Sequence, residues 1–555
     1  MFPAVSNNRY KFFAALSFCY FSFISSIFSQ TKYWVSFTDK VASPYSISSP
    51  SVFLSEKSIQ RRINHNIAID LTDIPVNQTY VNAVNGTGAL VFQTSKWFNA
   101  AIVIINDPAQ LTAINNLPFV KNIKAVGLKV KSDFNETLDN TKDLSKIYKT
   151  VSASSYDYGQ SFTQSNMIGI DCMHNLGYRG QNILIAVIDG GFYQVDVNPI
   201  FDSLRNEGRL LGTRDIVAGN NSVFEDDSHG ALVLSLLAGN SPGNLIGTAP
   251  KAKYFLIRSE NVLSEKKIEE SNLVVALELA DSLGADVTST SLGYNTFDNP
   301  ADNYLISDLN GKTSIASIAS TIAARKGIFV VNAAGNEGAS SWKYVCTPAD
   351  ADSILTVGSV NSAGIKSSFS SIGPTADGRI KPDVCAMGEG SYVGRPGNNF
   401  SSGNGTSFSC PIMAGAAACL IQANGNKNNM QILNAIKLSS SKAYVPENFL
   451  GWGIPSICSA NLILKLPLGL NDNRISNNGL NLFPNPAKDE LNFQINDEIL
   501  NIKLTDIYGK QIDFSLSQKI NQEYKINLNS NMAMGIYFIN LKTSSRIINA
   551  KFIKE

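Results

Sequence analysis

The chain has 555 residues, enough for two or three domains, and an ordinary apolar share of 44%. Its 46 Lys and Arg balance 45 Asp and Glu for a net charge of +1, so there is neither the basic surplus of a nucleic-acid binder nor an acidic solvating tail. Beyond the N-terminus, no stretch approaches the roughly 20 apolar residues of a membrane span.

Residues 1–29 read as a secretory signal peptide. Arg9 and Lys11 precede a short, Ser-rich apolar run, and polar Gln30 follows, so cleavage near Ser29 is expected and no anchored span remains after it. Residues 30–153 read as a small α+β module. Tyr33–Lys40 and Phe98–Asn106 are strand-like, Leu54–Asn66 is helix-like, and Pro108–Val126 reads as helix then strand. Over 154–467 strand and helix patterns alternate. Ile183–Asp189, Lys253–Ser259, Ala285–Gly293, Ile328–Asn336 and Ser353–Val360 are strand candidates, and Ser271–Gly284 and Ser314–Gly327 are helix candidates between them. Such alternation predicts an α/β fold with a mostly parallel sheet covered by helices on both faces. A polar linker spans 468–479. In 480–555 alternating apolar residues and turn residues predict a small antiparallel β-sandwich.

Seven cysteines are present, and Cys19 would leave with the signal peptide. The remaining six permit disulfides whose connectivity the sequence does not reveal. Cys385 and Cys419 sit in apolar contexts that suit free buried thiols. No Cys-x-x-Cys pair points to structural zinc.

Four short strings carry chemistry. The apolar run Ile183–Asp189 ends on Asp189, and in open α/β sheets ligands bind beyond the carboxyl ends of strands. His229 opens the run His-Gly-Ala-Leu-Val-Leu, which reads as the N-terminal end of a buried helix. His65 and His174, the other two histidines, suit a solvated helix position and a structural role before a Gly-rich turn. Asn336 follows Ile328–Gly335, where a side-chain amide can donate to an oxyanion. Ser407 lies in Gly-Thr-Ser-Phe-Ser-Cys-Pro ahead of a long apolar helix pattern, a place where free N–H groups favour negative charge. A serine is a weak nucleophile unless a base lies within reach. His229 would supply that base and Asp189 would orient the imidazole. No Gly-x-Ser-x-Gly elbow is present, which argues against an α/β-hydrolase.

The order Asp189, His229, Ser407 resembles that of the subtilisin-like serine peptidases (subtilases) and differs from the two other common triad orders. Arg379–Gly390 resembles the family's Lys-Pro-Asp-Val segment and supports the register leading to Ser407. The sequence departs from the family's usual pattern at Gly190, where Thr or Ser is usual, at Ala231, where Thr is usual, and at Ser228, where Gly is frequent. None of these removes a catalytic atom. The resemblance implies that Ser291, Leu292 and Gly293 pair with an extended peptide substrate. It further implies that Ala333, Ala334 and Gly335 form the second wall of the pocket for the side chain before the cut, with Cys346 near its floor. A shallow pocket preferring small or medium apolar side chains is expected. By the same resemblance 30–153 is an inhibitory propeptide, no organic cofactor is required, and structural calcium is possible without an assignable ligand set. Residues Pro484-Asn485-Pro486, Asp506–Lys510, Gly535-Ile536-Tyr537 and Lys551–Glu555 resemble the type IX secretion sorting domain. That resemblance implies export through the periplasm of a Gram-negative bacterium to the cell surface or medium. Two functions are thereby expected to compete. One is a secreted serine endopeptidase acting on polypeptides; the other is a catalytically silent surface binding protein on the same scaffold.

Overall fold

The computed structural model describes residues 31–127, 156–465 and, with short interruptions, 480–554. The signal peptide, the end of the propeptide segment, the linker, Asn485, Pro486, Ile507–Gly509 and Glu555 lie outside the described residues. The chain divides after Lys465 into two units.

The first unit opens with a four-stranded antiparallel sheet. Its strands are β1 (Thr31–Phe37), β2 (Leu90–Ser95), β3 (Ala100–Ile105) and β4 (Val120–Gly127), in the order β2-β3-β1-β4. One face buries Val35, Phe37, Ala101, Val103 and Ile105 under α2 (Gln78–Gly86) and α3 (Pro108–Asn115). That is the period-2 alternation of a half-buried strand. α1 (Glu56–Asn64) is capped by the Ser55 hydroxyl, which accepts from Ser58 N, and carries Glu56 in its first turn and Arg61 and Arg62 in its last.

The large part of this unit is a seven-stranded, wholly parallel sheet. Its strands are β5 (Leu184–Asp189), β6 (Leu210–Asp215), β7 (Lys253–Arg258), β8 (Val287–Thr290), β9 (Phe329–Ala333), β10 (Leu355–Val360) and β11 (Val384–Met387). The order is β11-β10-β9-β8-β5-β7-β6. β5, β8, β9, β10 and β11 are buried along their whole length, as strands covered on both faces must be. One face packs on α4 (His229–Ala238), the other on α5 (Lys267–Leu283) and α6 (Ile315–Arg325). A hairpin of β12 (Glu389–Arg395) and β13 (Asn399–Asn404) leads into α7 (Thr406–Ala423). By length and composition alone α7 could cross a membrane. Its side chains are instead almost all buried in the sheet's core. A disulfide joins Cys172 to Cys458, while Cys346, Cys385, Cys410 and Cys419 are free and buried.

The antiparallel sheet docks onto α5 and α6 through its unfilled face. Trp34, Trp97, Ile102 and Val126 share a core with Leu273, Leu277 and Ala280. Around this apolar contact lies a group of buried charges. Arg61 Nη2 is 2.6 Å from Asp281 Oδ1, Arg62 Nη2 is 2.9 Å and Lys96 Nζ 3.1 Å from Asp281 Oδ2. Arg62 also meets Asp73 at 2.6 Å, which Lys326 reaches at 2.8 Å. Glu278 accepts from Ser95 Oγ, Lys96 N and Trp97 N at 2.6, 2.8 and 3.0 Å.

The second unit holds two antiparallel sheets around one apolar core. One sheet is β14 (Glu490–Gln494), β17 (Ser515–Gln518) and β18 (Glu523–Asn527), in the order β14-β18-β17. The other is β15 (Ile499–Asp506), β16 (Gln511–Ile512), β19 (Gly535–Thr543) and β20 (Ile547–Lys554), in the order β16-β15-β19-β20. Leu491, Phe493 and Ile526 from the first meet Leu504, Ile539, Leu541 and Phe552 from the second.

Candidate active site

The four sequence strings converge on the carboxyl edge of the parallel sheet. Asp189 is the last residue of central strand β5 and fully buried. His229 is the first residue of α4, and its Nδ1 lies 2.7 Å from Asp189 Oδ1. Burial opposes a charged imidazole, but the Asp189 carboxylate, aided by Asp227, outweighs it and raises the His229 pKa to about 8. The ring keeps 35% of its side chain exposed, enough to face a ligand. Gly190 N also donates to Asp189 Oδ1, at 2.8 Å. Asp189 Oδ2 is buried without a hydrogen-bond partner among the described residues. Gly190, the next residue, has no side chain to donate to it.

Ser407 is the second residue of α7. Its hydroxyl donates to Ser291 O at 3.5 Å, and Ser291 Oγ donates back to Ser407 O at 3.0 Å. The Ser407 hydroxyl is thus turned toward the β8 end, and His229 Nε2 has no hydrogen-bond partner among the described residues. Phe408 holds its ring 6.3 Å from the His229 ring, which places the two helix N-termini side by side. Such catalytic hydrogen bonds commonly close only when a ligand is bound.

Asn336 lies three residues beyond β9. Its Oδ1 accepts from Thr406 N at 2.9 Å and from Thr406 Oγ1 at 3.0 Å. These two bonds fix the amide so that its Nδ2 remains available as a donor. A Cβ built on Gly405 would sit 3.6 Å from Ser407 N and 3.9 Å from Asn336 Nδ2, so both potential donors border one small space. Thr406 is a functional neighbour that the sequence reading did not single out; its place in Gly-Thr-Ser was the available signal.

Ser291, Leu292 and Gly293 continue from β8, and Ala333, Ala334 and Gly335 close β9. Asn332 Nδ2 donates to Leu292 O at 3.2 Å and ties the two walls together. Cys346 lies between them: Cys346 N donates to Ala334 O at 3.1 Å. A Cβ on Gly293 would come within 3.0 Å of Cys346 Cβ, and one on Gly335 within 2.9 Å of its Sγ. Gly335 adopts φ of +105°, so both its backbone and its neighbour demand glycine. Burial pushes the Cys346 thiol well above its ordinary value, as for a packing group without thiolate character. His174 is fully buried against Tyr158 Oη and Thr248 O, a structural role, and Ser409 Oγ is spent on Thr406 O. Among the described residues no group of three or more His, Cys, Asp or Glu is arranged to hold a metal ion.

Comparison with known proteins identifies the family. Residues 180–453 match the model of the subtilase family. Subtilisin NAT of Bacillus subtilis subsp. natto is 30% identical over 312 residues, covering 56% of this chain and 73% of that protein. The chain belongs to the subtilase family. Subtilisin of Bacillus pumilus is 31% identical over 300 residues, 54% of this subtilase and 95% of its relative. Residues 32–143 match a peptidase S8 propeptide domain of Bacteroidota, and 481–555 match a secretion system C-terminal sorting domain. The sorting domain marks this subtilase for secretion or the cell surface. Among solved structures, MycP1 with its propeptide removed covers 54% of this chain and 96% of its own, at 22% identity and a TM-score of 0.43.

Proposed function

We propose that this subtilase is a secreted, propeptide-controlled serine endopeptidase that cuts polypeptides through Asp189, His229 and Ser407. The observation that carries the reading is the 2.7 Å contact between a buried carboxylate and the histidine whose ring lies beside Phe408, at the N-terminal end of the Ser407 helix. In this mechanism Ser407 Oγ rotates from Ser291 O toward His229 Nε2, surrenders its proton there and attacks the substrate carbonyl. Asn336 Nδ2 and the Ser407 N–H hold the oxyanion, and Thr406 positions Asn336. His229 then protonates the leaving amine, and water repeats the cycle on the acyl-enzyme. Asp189 stabilises the imidazolium without taking its proton. No cofactor enters any step, and calcium, if bound, is structural.

Ser291–Gly293 would pair with the substrate backbone as an added strand. Cys346, wedged between Gly293 and Gly335, would leave the pocket before the cut shallow and suited to small or medium apolar side chains. Residues 1–29 would be removed at export and 30–153 on activation, leaving 154–467 as the peptidase. The segment 480–555, joined through 468–479, would engage the type IX machinery from the periplasm.

Fluorophosphonate labelling of the exported protein beside Ser407→Ala, with intact masses, tests the reading. Labelling of the parent alone, with loss of the segment before about residue 154, is the expected result. No labelling of a parent whose propeptide is verifiably gone would favour a silent surface-binding protein.

A further inference from the structure

Arg258 is a buried side chain of the parallel sheet that the mechanism leaves without a part. It closes β7 and pairs in register with Asp189 of β5 on one side and Asp215 of β6 on the other. Only 7% of it is exposed. Its guanidinium reaches three chain segments at once. Nε donates to Gly190 O, the carbonyl next to Asp189, at 3.0 Å. Nη1 donates to Asp215 Oδ2 at 2.8 Å and lies 2.9 Å from Asp226 Oδ2, in the loop that leads into His229. Asp215 is buried, with its other oxygen taken by Ala218 N, while Asp226 is exposed. A rigid fork of donors can serve three such acceptors; a single ammonium point cannot span them.

Asp189 and Asp227 both favour the charged form of His229, and each is one residue from a group that Arg258 holds: Asp189 precedes Gly190, and Asp227 follows Asp226. The turn after Asp189 and the loop before His229 also meet through backbone. Phe192 N donates to Val223 O, Tyr193 N to Asp227 O and Gln194 N to Phe224 O, at 2.8, 2.9 and 3.2 Å. They lie so close that a Cβ on Gly191 would fall 2.6 Å from Asp227 N, and one on Gly190 would lie 3.5 Å from Asp227 Oδ2. Two glycines leave that turn without side chains to brace it, so its placement falls to these backbone bonds and to the guanidinium. Two further charges border the group. Glu260, just beyond β7, is raised chiefly by its burial and accepts from the Tyr294 hydroxyl, and Lys32 of β1 interacts electrostatically with Asp215.

We propose that Arg258 is a positioning residue for the proposed triad: through Gly190 O it fixes the turn that follows Asp189, and through Asp226 it fixes the loop that holds Asp227 beside His229. This assignment rests on the proteolytic reading above. Asp215 is the buried anchor that keeps the guanidinium in place. Loss of the clamp lets Asp227 move away from the imidazole and loosens the contact between Asp189 and His229, so His229 becomes less basic. Loss of a cation by itself acts the other way, since removing a nearby positive charge makes an imidazole more basic. The two effects have opposite signs, and a pH profile separates them.

The test is kcat and KM of the matured protein on one peptide substrate from acid to alkaline pH, with active enzyme counted by fluorophosphonate titration. In Arg258→Met kcat should fall about tenfold, the worth of one charged hydrogen bond, with KM little changed. The midpoint of the rising limb of kcat/KM should drop from about 8 toward the ordinary 6.5. Asp227→Asn should move the midpoint the same way, and the double variant Arg258→Met/Asp227→Asn by less than the two shifts added. Arg209→Met is the control. That arginine is also 7% exposed, but it precedes β6, at the far end from Asp215, and donates to Ala252 O; its loss should lower stability and leave the midpoint in place. Should Arg258→Met fail to fold, Asp226→Asn decides, because its carboxylate is exposed. Its midpoint should fall too, and stay down in about 1 M salt, where a screening length of about 3 Å removes the bare effect of an exposed charge. A midpoint unmoved or raised in Arg258→Met, or unmoved in Asp226→Asn where that variant decides, overturns the proposal. A parent that takes the label yet cuts no peptide removes the proteolytic reading itself, and this assignment with it.

Discussion

Replacing Asp281 by Asn removes one charge from the centre of the contact between the propeptide region and α5. The carboxylate is wholly buried and shared by Arg61, Arg62 and Lys96, themselves 6%, 1% and 8% exposed. Burial works against its ionised form, yet Lys96, Arg61 and Arg62 hold its pKa below the usual carboxylate range. Without it, Arg62 keeps only Asp73, Lys326 keeps Asp73 and Asp70, and Arg61 and Lys96 hydrogen-bond only to neutral acceptors. Breaking a buried pair while its partner stays charged costs about 3–5 kcal/mol. The contrast is Lys57→Met. Its ion pair with Asp286 is 38% exposed on the lysine side, and such pairs are worth about 0–1 kcal/mol. The assay is urea unfolding of the full-length Ser407→Ala protein, which cannot cut itself. Trp34 and Trp97, 9% and 6% exposed in the contact, report undocking by fluorescence. A loss in Asp281→Asn of under about 1 kcal/mol, or one no larger than in Lys57→Met, would refute the view that this charge group anchors the propeptide. The sign with pH follows from the lowered pKa. The contribution of Asp281 is complete above its unfolded value near 3.8 and disappears as pH falls through its lower folded value.

Because Asp189 raises His229 to about 8, kcat/KM of the matured protein should climb as pH passes through that value, and Asp189→Asn should cut kcat about 10⁴-fold. The same shift stabilises the fold below the ordinary histidine value of 6.5, a contribution lost between 6.5 and about 8; an Asp189→Asn melting curve without that pH slope would agree. Asn336→Ala should lower kcat about 10²–10³-fold with little change in KM, a magnitude measured on a subtilisin and carried over here. An equal loss for Thr406→Val would show that the Thr406 clamp matters as much as the amide itself. Cys172→Ser should lower stability by about 2–5 kcal/mol in chemical denaturation, as expected for a link closing a long loop.

The sheet was legible because buried parallel strands leave an unmistakable trace. Ile183–Ile188 and Ile328–Val331 are continuous apolar runs, each followed within a few residues by a candidate site residue, Asp189 and Asn336. Cys346, expected near the floor of the pocket from the family resemblance, packs against Gly293 and Gly335. Contacts made between segments distant in sequence were not legible. Leu54–Asn66 was legible as a helix, but nothing local shows that its Arg61 and Arg62 are buried against Asp281, 220 residues on from Arg61. The Cys172–Cys458 partnership likewise depends on two short helices that no local pattern connects. α7 has the length and composition of a membrane span, and only its burial in the sheet's core marks it as a core helix.

The disulfide encloses a span of 286 residues that contains the whole parallel sheet and every residue of the candidate site. Both proposed maturation cuts, near residue 154 and after 467, fall outside that span. The covalent ring therefore survives processing intact. A single internal nick, such as one at the exposed Val262 and Leu263, would leave two fragments still joined. On a non-reducing gel the nicked and intact species would run together, and only reductant would reveal how much of a preparation had already been cut. Its lifetime among other secreted proteases would thus be set by the second nick rather than the first.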